Sequence, residues 1–226
     1  MNPLAKDAKI RAIFFDAVGT VLYIHPDASD VYAAVGREFG HFLPRETIGQ
    51  RFRAAYRQQE REDSQLEWAT SEEREIRRWQ DIVTIVFQDG NEEMFRRLWE
   101  YFAQAQAWMV LPDTAQILLE LSDRGMVLGL ASNFDRRLHS VAGGFPELAP
   151  LQIRLISSEI GWRKPSGRFF QALVSAAGCL PEQILYVGDD RANDFDGADA
   201  AGLRAVLVEG ESFNRIRTMR ELLGMI

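Results

Sequence analysis

Five short apolar runs alternate with helical patterns along most of this chain, and this alternation is the feature that most restricts its fold. The runs are rich in β-forming residues and lie at 10–15, 126–131, 152–157, 184–188 and 204–208. Between the later runs, helical patterns lie at 113–124, 134–142, 166–177 and 191–201. Nearly continuous apolar strands that alternate with helices are typical of a parallel sheet covered on both faces. The sequence therefore predicts an α/β fold with a Rossmann-like parallel sheet.

The segment that follows the first run has a different character. It shows no convincing strand, and its helical stretches lie near 28–39, 44–62, 71–88 and 91–107. We therefore expect an inserted helical cap domain at 25–110, within an α/β core domain formed by 1–24 and 111–226. Thr70 and Glu73 have the spacing of a capping box at the start of the third helical stretch.

Aromatic residues are dense in this insert and recur at helical spacing. They are Phe39, Phe52, Tyr56, Trp68, Trp79, Phe87, Phe95, Trp99, Phe102 and Trp108. Rings at this spacing in a small bundle usually form its core, so we expect a core rather than a ligand-binding box.

Charge and cysteine content exclude several classes of function. The 226 residues carry a net charge of −7 without a basic stripe, which argues against nucleic acid and anionic membranes as partners. Cys179 is the only cysteine, so the chain can form neither an internal disulfide nor a thiolate metal cluster. The first dozen residues contain charges and no apolar stretch of signal-peptide length. We therefore expect a cytoplasmic protein.

Polar residues follow several of the predicted strands. They are Asp16, Ser132 with Asn133, Lys164, and the acidic string at 188–194, "GDDRAND". Ligands of parallel α/β sheets bind at the carboxyl ends of the strands, so these residues are expected to meet in one site. Lys164 is notable because the 26 Lys plus Arg include only two other lysines, Lys6 and Lys9.

These motifs, in this order, resemble the haloacid dehalogenase-like superfamily, most of whose members are Mg²⁺-dependent phosphohydrolases with an aspartate nucleophile. The strings "FFDAVGT" and "LASN" flank the helical insert, as in the subclass with a helical cap. The longer strings "SNFDRRL" and "GWRKPSGRFF" are similar to the haloacid dehalogenase-like hydrolase domain-containing proteins. The resemblance implies a phosphatase that acts on a small phosphorylated metabolite.

The resemblance also implies a role for each phosphate-binding residue. Asp16 would attack the phosphoryl group and form an aspartyl-phosphate. Ser132 and the amide of Asn133 would hold phosphoryl oxygens, and Thr20 would steady the carboxylate or the phosphate. Lys164 would supply a compact positive charge that neutralises the phosphate.

The metal site implied by the resemblance takes Mg²⁺, which prefers hard oxygen ligands and keeps several waters. Its ligands would be Asp16, the backbone carbonyl of Val18, Asp189 and Asp194. Asp190 would either add metal affinity or cap the helix that begins near residue 191.

Val18 departs from the phosphohydrolase pattern. Relatives carry an aspartate at this position, which protonates the leaving oxygen and later activates water, and valine can do neither. Three functions stay open: a phosphatase of reduced or selective activity, in which Tyr23 or His25 could replace the acid; a metal- and phosphate-binding protein without turnover; and a 2-haloacid dehalogenase. The third is disfavoured because the dehalogenases resemble each other in lacking a metal site, whereas the acidic string is present here.

Overall fold

The computed structural model describes residues 9–111, 113–208, 215–216 and 218–226. The strands within them are β1 (Ala12–Phe15), β2 (Leu22–Ile24), β3 (Trp108–Val110), β4 (Val127–Ser132), β5 (Ile153–Ile156), β6 (Ile184–Gly188), β7 (Arg204–Val208) and β8 (Arg215–Ile216). Six of them form a parallel sheet in the order β5-β4-β1-β6-β7-β8. Each of the five apolar runs of the sequence supplies one strand of this sheet.

Helices connect the strands. The described α-helices are α1 (Ala28–Glu38), α2 (Arg45–Gln65), α3 (Glu72–Phe87), α4 (Glu92–Tyr101), α5 (Thr114–Asp123), α6 (Arg137–Gly143), α7 (Ser157–Ile160), α8 (Gly167–Ala177) and α9 (Gly197–Ala200). One turn of π-helix, Arg191–Asp196, leads directly into α9. Within the described residues, no helix is both long and apolar enough to span a lipid bilayer.

The central strand β1 shows why the sheet is covered on both faces. Its four residues are fully buried, and successive side chains point to opposite faces of a strand. Ile13 and Phe15 belong to an apolar cluster that includes side chains of α5 and α6. Ala12 and Phe14 belong to a second cluster, which includes side chains of α8. The predicted α/β fold with helices on both faces is therefore confirmed.

The helical insert contains α1 to α4 and lies in the chain between β2 and β3. These two strands pair antiparallel, so a short ribbon closes the insert where the chain leaves and rejoins the sheet. The prediction that this segment lacks a strand is wrong at Trp108–Val110, because the partner of that strand comes from the far side of the insert. The fourth helix ends at Tyr101 rather than at 107, and a separate short 3-10 turn, Ala105–Ala107, leads into β3. The assignment of 25–110 to a separate domain stays a prediction.

The start of α3 differs from the predicted capping box. Ser71, not Thr70, is the N-cap, and its side chain accepts a hydrogen bond from the backbone N–H of Arg74. Thr70 is used elsewhere: its backbone N–H donates to the carbonyl of Gly161 (3.0 Å), and its hydroxyl donates to Glu75 (2.7 Å). Thr70 therefore contacts Gly161, in the loop between α7 and α8, instead of capping its own helix.

Candidate active site

The predicted site residues meet at the carboxyl ends of three neighbouring strands. Asp16 directly follows β1, Ser132 is the last residue of β4, and Asp189 directly follows β6. Asp194 reaches the same place from the π-helical turn, and Lys164 from the loop between α7 and α8. All five line one cavity of about 310 Å³.

The first loop holds its residues in a tight turn against Asp189. Val18 lines the cavity together with Asp16, which lies two residues earlier in the same loop. Thr20 does not line it; its hydroxyl donates to Asp189 over 3.4 Å. Gly19 has a φ of +85°, and a methyl group there would overlap the Asp189 carboxylate, so this position requires glycine on both counts.

The ammonium of Lys164 is the electrostatic centre of the site. It donates to Asp16 Oδ1 (2.6 Å), to Asp194 Oδ1 (2.6 Å) and to the hydroxyl of Tyr186 (2.9 Å), which uses all three of its donors. Burial alone would lower the pKa of Lys164, but the carboxylates of Asp16 and Asp194 outweigh burial and raise that pKa well above its usual value. Lys164 is therefore a fixed positive charge.

Tyr186 is a site residue that the sequence does not reveal. It lies within the buried strand β6, where an aromatic residue is an ordinary core choice. Its hydroxyl accepts from Lys164 and donates to the backbone carbonyl of Ala131 over 2.6 Å. The tyrosine thus ties the lysine to the neighbouring strand β4.

The side chain of Asn133 holds the backbone on both sides of the Lys164 α-carbon. Its Oδ1 accepts from the N–H of Lys164 (2.7 Å), and its Nδ2 donates to the carbonyl of the same residue (3.0 Å). This pairing fixes the lysine loop against the end of β4. The backbone amide of Asn133 is consequently the group that could contact a phosphate.

Three carboxylates can face one ion in this site. Oxygens of Asp16, Asp189 and Asp194 all lie within 4.8 Å of one another. Burial, with the carboxylates of Asp16 and Asp194, raises the pKa of Asp189 to about 7. Burial is also the main cause that raises the pKa of Asp194. When all three are ionised beside one ammonium, they leave two net negative charges, which a divalent cation would balance, so the donor set fits a hard divalent metal.

Asp190 makes the capping contact that one of the two alternatives expects, and it also lines the cavity. Its Oδ1 accepts from the backbone N–H groups of Ala192 (2.9 Å) and Asn193 (2.8 Å), and so caps the π-helical turn.

The linker residues Tyr23 and His25 do not line the cavity. His25 is exposed, and the Tyr23 hydroxyl lies 3.4 Å from the carbonyl of Thr20.

The aromatic residues of the insert pack in apolar clusters, and some of them also line the cavity. Phe39, Phe87 and Phe95 pack in or against the apolar cluster of the helical segment, as expected for a core. Five others line the cavity and also contact an apolar cluster: Phe52, Tyr56, Trp79 and Phe102 pack against the cluster of the helical segment, and Trp108 belongs to the cluster that contains Ile13 and Phe15. Most of these rings therefore contribute to an apolar core as expected, and five of them also form part of the cavity lining.

Comparison with known families agrees with this geometry. A family profile of haloacid dehalogenase-like hydrolases matches residues 10–202. The chain belongs to the haloacid dehalogenase-like hydrolases.

Individual relatives of the hydrolase include enzymes with different named activities. Haloacid dehalogenase-like hydrolase domain-containing protein 3 of Homo sapiens is 31% identical over 215 residues, which cover 92% of this chain and 85% of the relative. The phosphoserine phosphatase of Thermus thermophilus is 34% identical over 124 residues, which cover 53% of this chain and 49% of that protein. A solved dehalogenase with an intermediate complex shares the fold, with a TM-score of 0.75 at 17% identity over 97% of this chain and 98% of that chain.

A buried ion cluster joins the helical segment of the hydrolase to the loop that carries Lys164. Its members are Glu60, Asp63, Arg74, Glu75, Arg78 and Arg163. Arg163 donates to Glu75, and its Nε lies 3.4 Å from Asp63. Arg78 donates to Asp63 and also to Glu60 over 2.8 Å. Sequence analysis missed this cluster because the charged residues of α2 and α3 have the pattern of ordinary solvated helix faces.

Backbone contacts reinforce the ion cluster. The N–H of Arg163 donates to the carbonyl of Trp68 (2.8 Å), and the N–H of Thr70 donates to the carbonyl of Gly161 (3.0 Å). Lys164 is the next residue along the chain. The lysine loop is thus held both to the sheet and to the helical segment.

Replacing Glu75 by glutamine should destabilise the hydrolase in a pH-dependent way. Burial alone would raise the pKa of Glu75, but Arg163 and Arg78 outweigh burial and lower it. The wild-type advantage should therefore be full above the ordinary value of 4.5 and be lost as the pH falls through the lower folded-state pKa. At neutral pH we expect the free energy of unfolding to fall by about 3 kcal/mol, measured by urea denaturation.

The matched control for this prediction is Glu38→Gln, because Glu38 pairs with Arg97 on the surface, where both side chains are about half exposed. Its unfolding free energy should change little, since exposed ion pairs contribute about 0–1 kcal/mol. Equal losses in the two variants would contradict a special role for the buried cluster.

Proposed function

We propose that this hydrolase is a Mg²⁺-dependent phosphatase that acts on a small phosphorylated metabolite through an aspartyl-phosphate at Asp16. The observation that carries the proposal is the surroundings of Asp16: a buried ammonium on one carboxylate oxygen, and two further carboxylates close enough to share an ion. The similarity to the phosphoserine phosphatase of Thermus thermophilus supports phosphoryl chemistry. The net charge of −7 argues against nucleic acid or an anionic membrane as the partner, and we place the proposed small metabolite in the cytoplasm.

The proposed reaction has two displacements. A carboxylate oxygen of Asp16 attacks phosphorus as the bond to the leaving oxygen breaks, and water then hydrolyses the acyl phosphate and restores the carboxylate. Lys164 offsets the charge of the phosphoryl group, and Ser132 with the backbone amide of Asn133 holds its oxygens. Thr20 acts indirectly, through its hydrogen bond to Asp189.

The residues proposed to hold Mg²⁺ are Asp16, Asp189, Asp194 and the backbone carbonyl of Val18. When bound, the ion would offset the negative charge of the transferring phosphoryl group. Asp190 is left out of this set because the carboxylates that lie within 4.8 Å of one another are those of Asp16, Asp189 and Asp194.

Val18 determines which substrates such a site can process. A positioned general acid contributes about a hundred- to ten-thousand-fold, which corresponds to about 3–5 kcal/mol of barrier. Valine cannot supply it, and neither Tyr23 nor His25 lines the cavity as a replacement. Esters whose leaving oxygen is weakly basic need the least protonation, so they should be the best substrates.

Assays of phosphate binding and of halide release would detect the two other functions left open by the sequence. A metal- and phosphate-binding protein would bind phosphate without turnover. A 2-haloacid dehalogenase would release halide from 2-chloropropionate, a reaction in which no leaving oxygen needs a proton. The three clustered carboxylates favour the phosphatase, because halide displacement has no use for a divalent cation.

Replacing Asp16 by asparagine should abolish turnover of an aryl phosphate in Mg²⁺. Removal of a nucleophile typically costs about four orders of magnitude or more. Asp196→Asn is the matched control: Asp196 pairs with Arg191 on the surface and should be replaceable without loss. Full activity of Asp16→Asn, or wild-type protein inert toward a broad phosphate panel, would contradict the proposal.

Replacing Val18 by aspartate should raise kcat/KM for an alkyl phosphate by about a hundredfold or more, because it adds the missing general acid. The gain should be small for an aryl phosphate, whose leaving group needs little protonation. Val18→Asn has nearly the same shape without the acid and should give no gain. An unchanged rate for Val18→Asp would show that another group already donates the proton.

Metal binding can be measured without turnover. Added Mg²⁺ should raise the melting temperature of the wild-type hydrolase, because the ion binds only the folded acidic set. Asp189→Asn should lose most of this response, whereas Asp190→Asn should keep it. The reverse pattern would assign the metal to Asp190 instead.

A further inference from the structure

Aromatic side chains of the helical segment form a large part of the cavity lining beyond the charged residues. We call this surface the aromatic wall; it consists of Tyr32, Phe52, Tyr56, Trp79, Phe102 and Trp108. The volume of about 310 Å³ lies at the small end of the range for ligand pockets, about 300–1,000 Å³. One phosphate and a small ring system match such a space.

The rings of the aromatic wall pack on one another as a continuous array. Tyr32 lies edge-on to Phe52 at 5.5 Å between ring centroids, and Phe52 lies 6.3 Å from both Tyr56 and Trp79. At the other end, Phe102 lies 6.2 Å from Tyr32. These separations are typical of favourable aromatic pairs, so the wall is already formed without a ligand.

The polar atoms of the wall carry no charge. Burial raises the pKa of the Tyr32 hydroxyl, and burial likewise raises the pKa of Tyr56, so both phenols are neutral at physiological pH. The indole N–H of Trp108 donates to the backbone carbonyl of Phe102 over 3.1 Å. The wall therefore offers rings and neutral polar groups, and no charge, to a ligand.

Cations available to a second anionic group are already engaged. The cationic side chains that line the cavity of the described chain are Lys164 and Arg137. Arg137 makes two hydrogen bonds to the carboxylate of Asp135 (2.8 and 2.7 Å), and its guanidinium lies 3.3 Å from the ring centroid of Trp99. Lys164 is bound to Asp16 and Asp194. A leaving group with its own negative charge would find no unpaired cation in this lining.

We propose that the leaving group is the oxide of an aromatic alcohol that carries no further charged group, so that the substrate class is the aryl phosphate monoesters. This proposal rests on the phosphatase function given above. The P–O bond to the aryl oxygen breaks as the bond to Asp16 forms, and the aryl oxide leaves as an anion and takes its proton from water. A phenol has a pKa of about 10, as in tyrosine, so departure without an acid is feasible beside Val18.

Binding of inert phosphonates tests the wall apart from turnover. In Mg²⁺ buffer, isothermal titration calorimetry should show phenylphosphonate binding about tenfold or more tighter than methylphosphonate, because only the former buries a ring. A carboxylate added to the ring, as in 4-carboxyphenylphosphonate, should weaken binding. Equal affinities for the phenyl and methyl compounds would overturn the proposal, and tighter binding of the carboxylated ring would overturn its uncharged leaving group.

Substitutions in the aromatic wall should change the affinity only for ligands that carry a ring. Phe52→Leu should lower phenylphosphonate affinity about fivefold or more and leave methylphosphonate affinity unchanged, which also shows that the charged residues are intact. Phe102→Leu is a second variant at the other end of the wall if the first does not fold. Phe95→Leu is the matched control, because Phe95 lies in the same segment but does not line the cavity. A loss for Phe95→Leu equal to that for Phe52→Leu would contradict the assignment of the wall.

Phosphonate binding and ester hydrolysis, measured together, distinguish failure of the phosphatase function from failure of the aryl preference. If phenylphosphonate binds with the expected preference but phenyl phosphate is not hydrolysed, the phosphatase function fails and the aromatic wall stands as a binding site. If phenyl and glycerol phosphates are hydrolysed with equal kcat/KM, the phosphatase function stands and the aryl preference fails. If neither phosphonate binds, both proposals fail.

Discussion

The ammonium of Lys164 lies 2.6 Å from carboxylate oxygens of both Asp16 and Asp194, and the site depends on this buried contact. Carboxylates brought together away from water repel one another unless cations offset their charge. A lysine ammonium can direct three donors in three directions, here to two carboxylates and Tyr186. An arginine fork is planar and cannot do so, which explains a lysine at this position in a chain that otherwise relies on arginine.

The loop that carries the lysine serves two ionic centres with successive residues. Arg163 points into the ion cluster of the helical segment, and Lys164 points into the cavity. An antiparallel bridge between Ala69 and Trp162 adds backbone pairing between the same two parts of the chain. A shift of the helical segment relative to the sheet would have to break the ion cluster or move Lys164. The position of the helical segment and the position of the ammonium are therefore coupled.

Sequence reasoning predicted what depends on local pattern and missed what depends on tertiary contact. The strands of the sheet follow from their apolar runs, and the convergence of Asp16, Ser132 and Lys164 follows from strand order. The strand at 108–110 was missed because its partner is distant in the chain. Tyr186 looks like any core tyrosine until its hydroxyl is seen beside the lysine. The aromatic residues of the insert were ambiguous because a bundle core and a cavity wall use the same helical spacing.

Val18 can be understood from the charge balance of the site. An aspartate there would bring a further carboxylate to a cavity that four carboxylates, those of Asp16, Asp189, Asp190 and Asp194, already line. Valine avoids this repulsion and packs against the apolar cluster beside β1. The cost is the loss of a proton donor, which matters in proportion to the basicity of the leaving oxygen. Both the missing acid and the aromatic surface of the cavity thus favour the same property of the substrate: a leaving group that is apolar and stable as an anion.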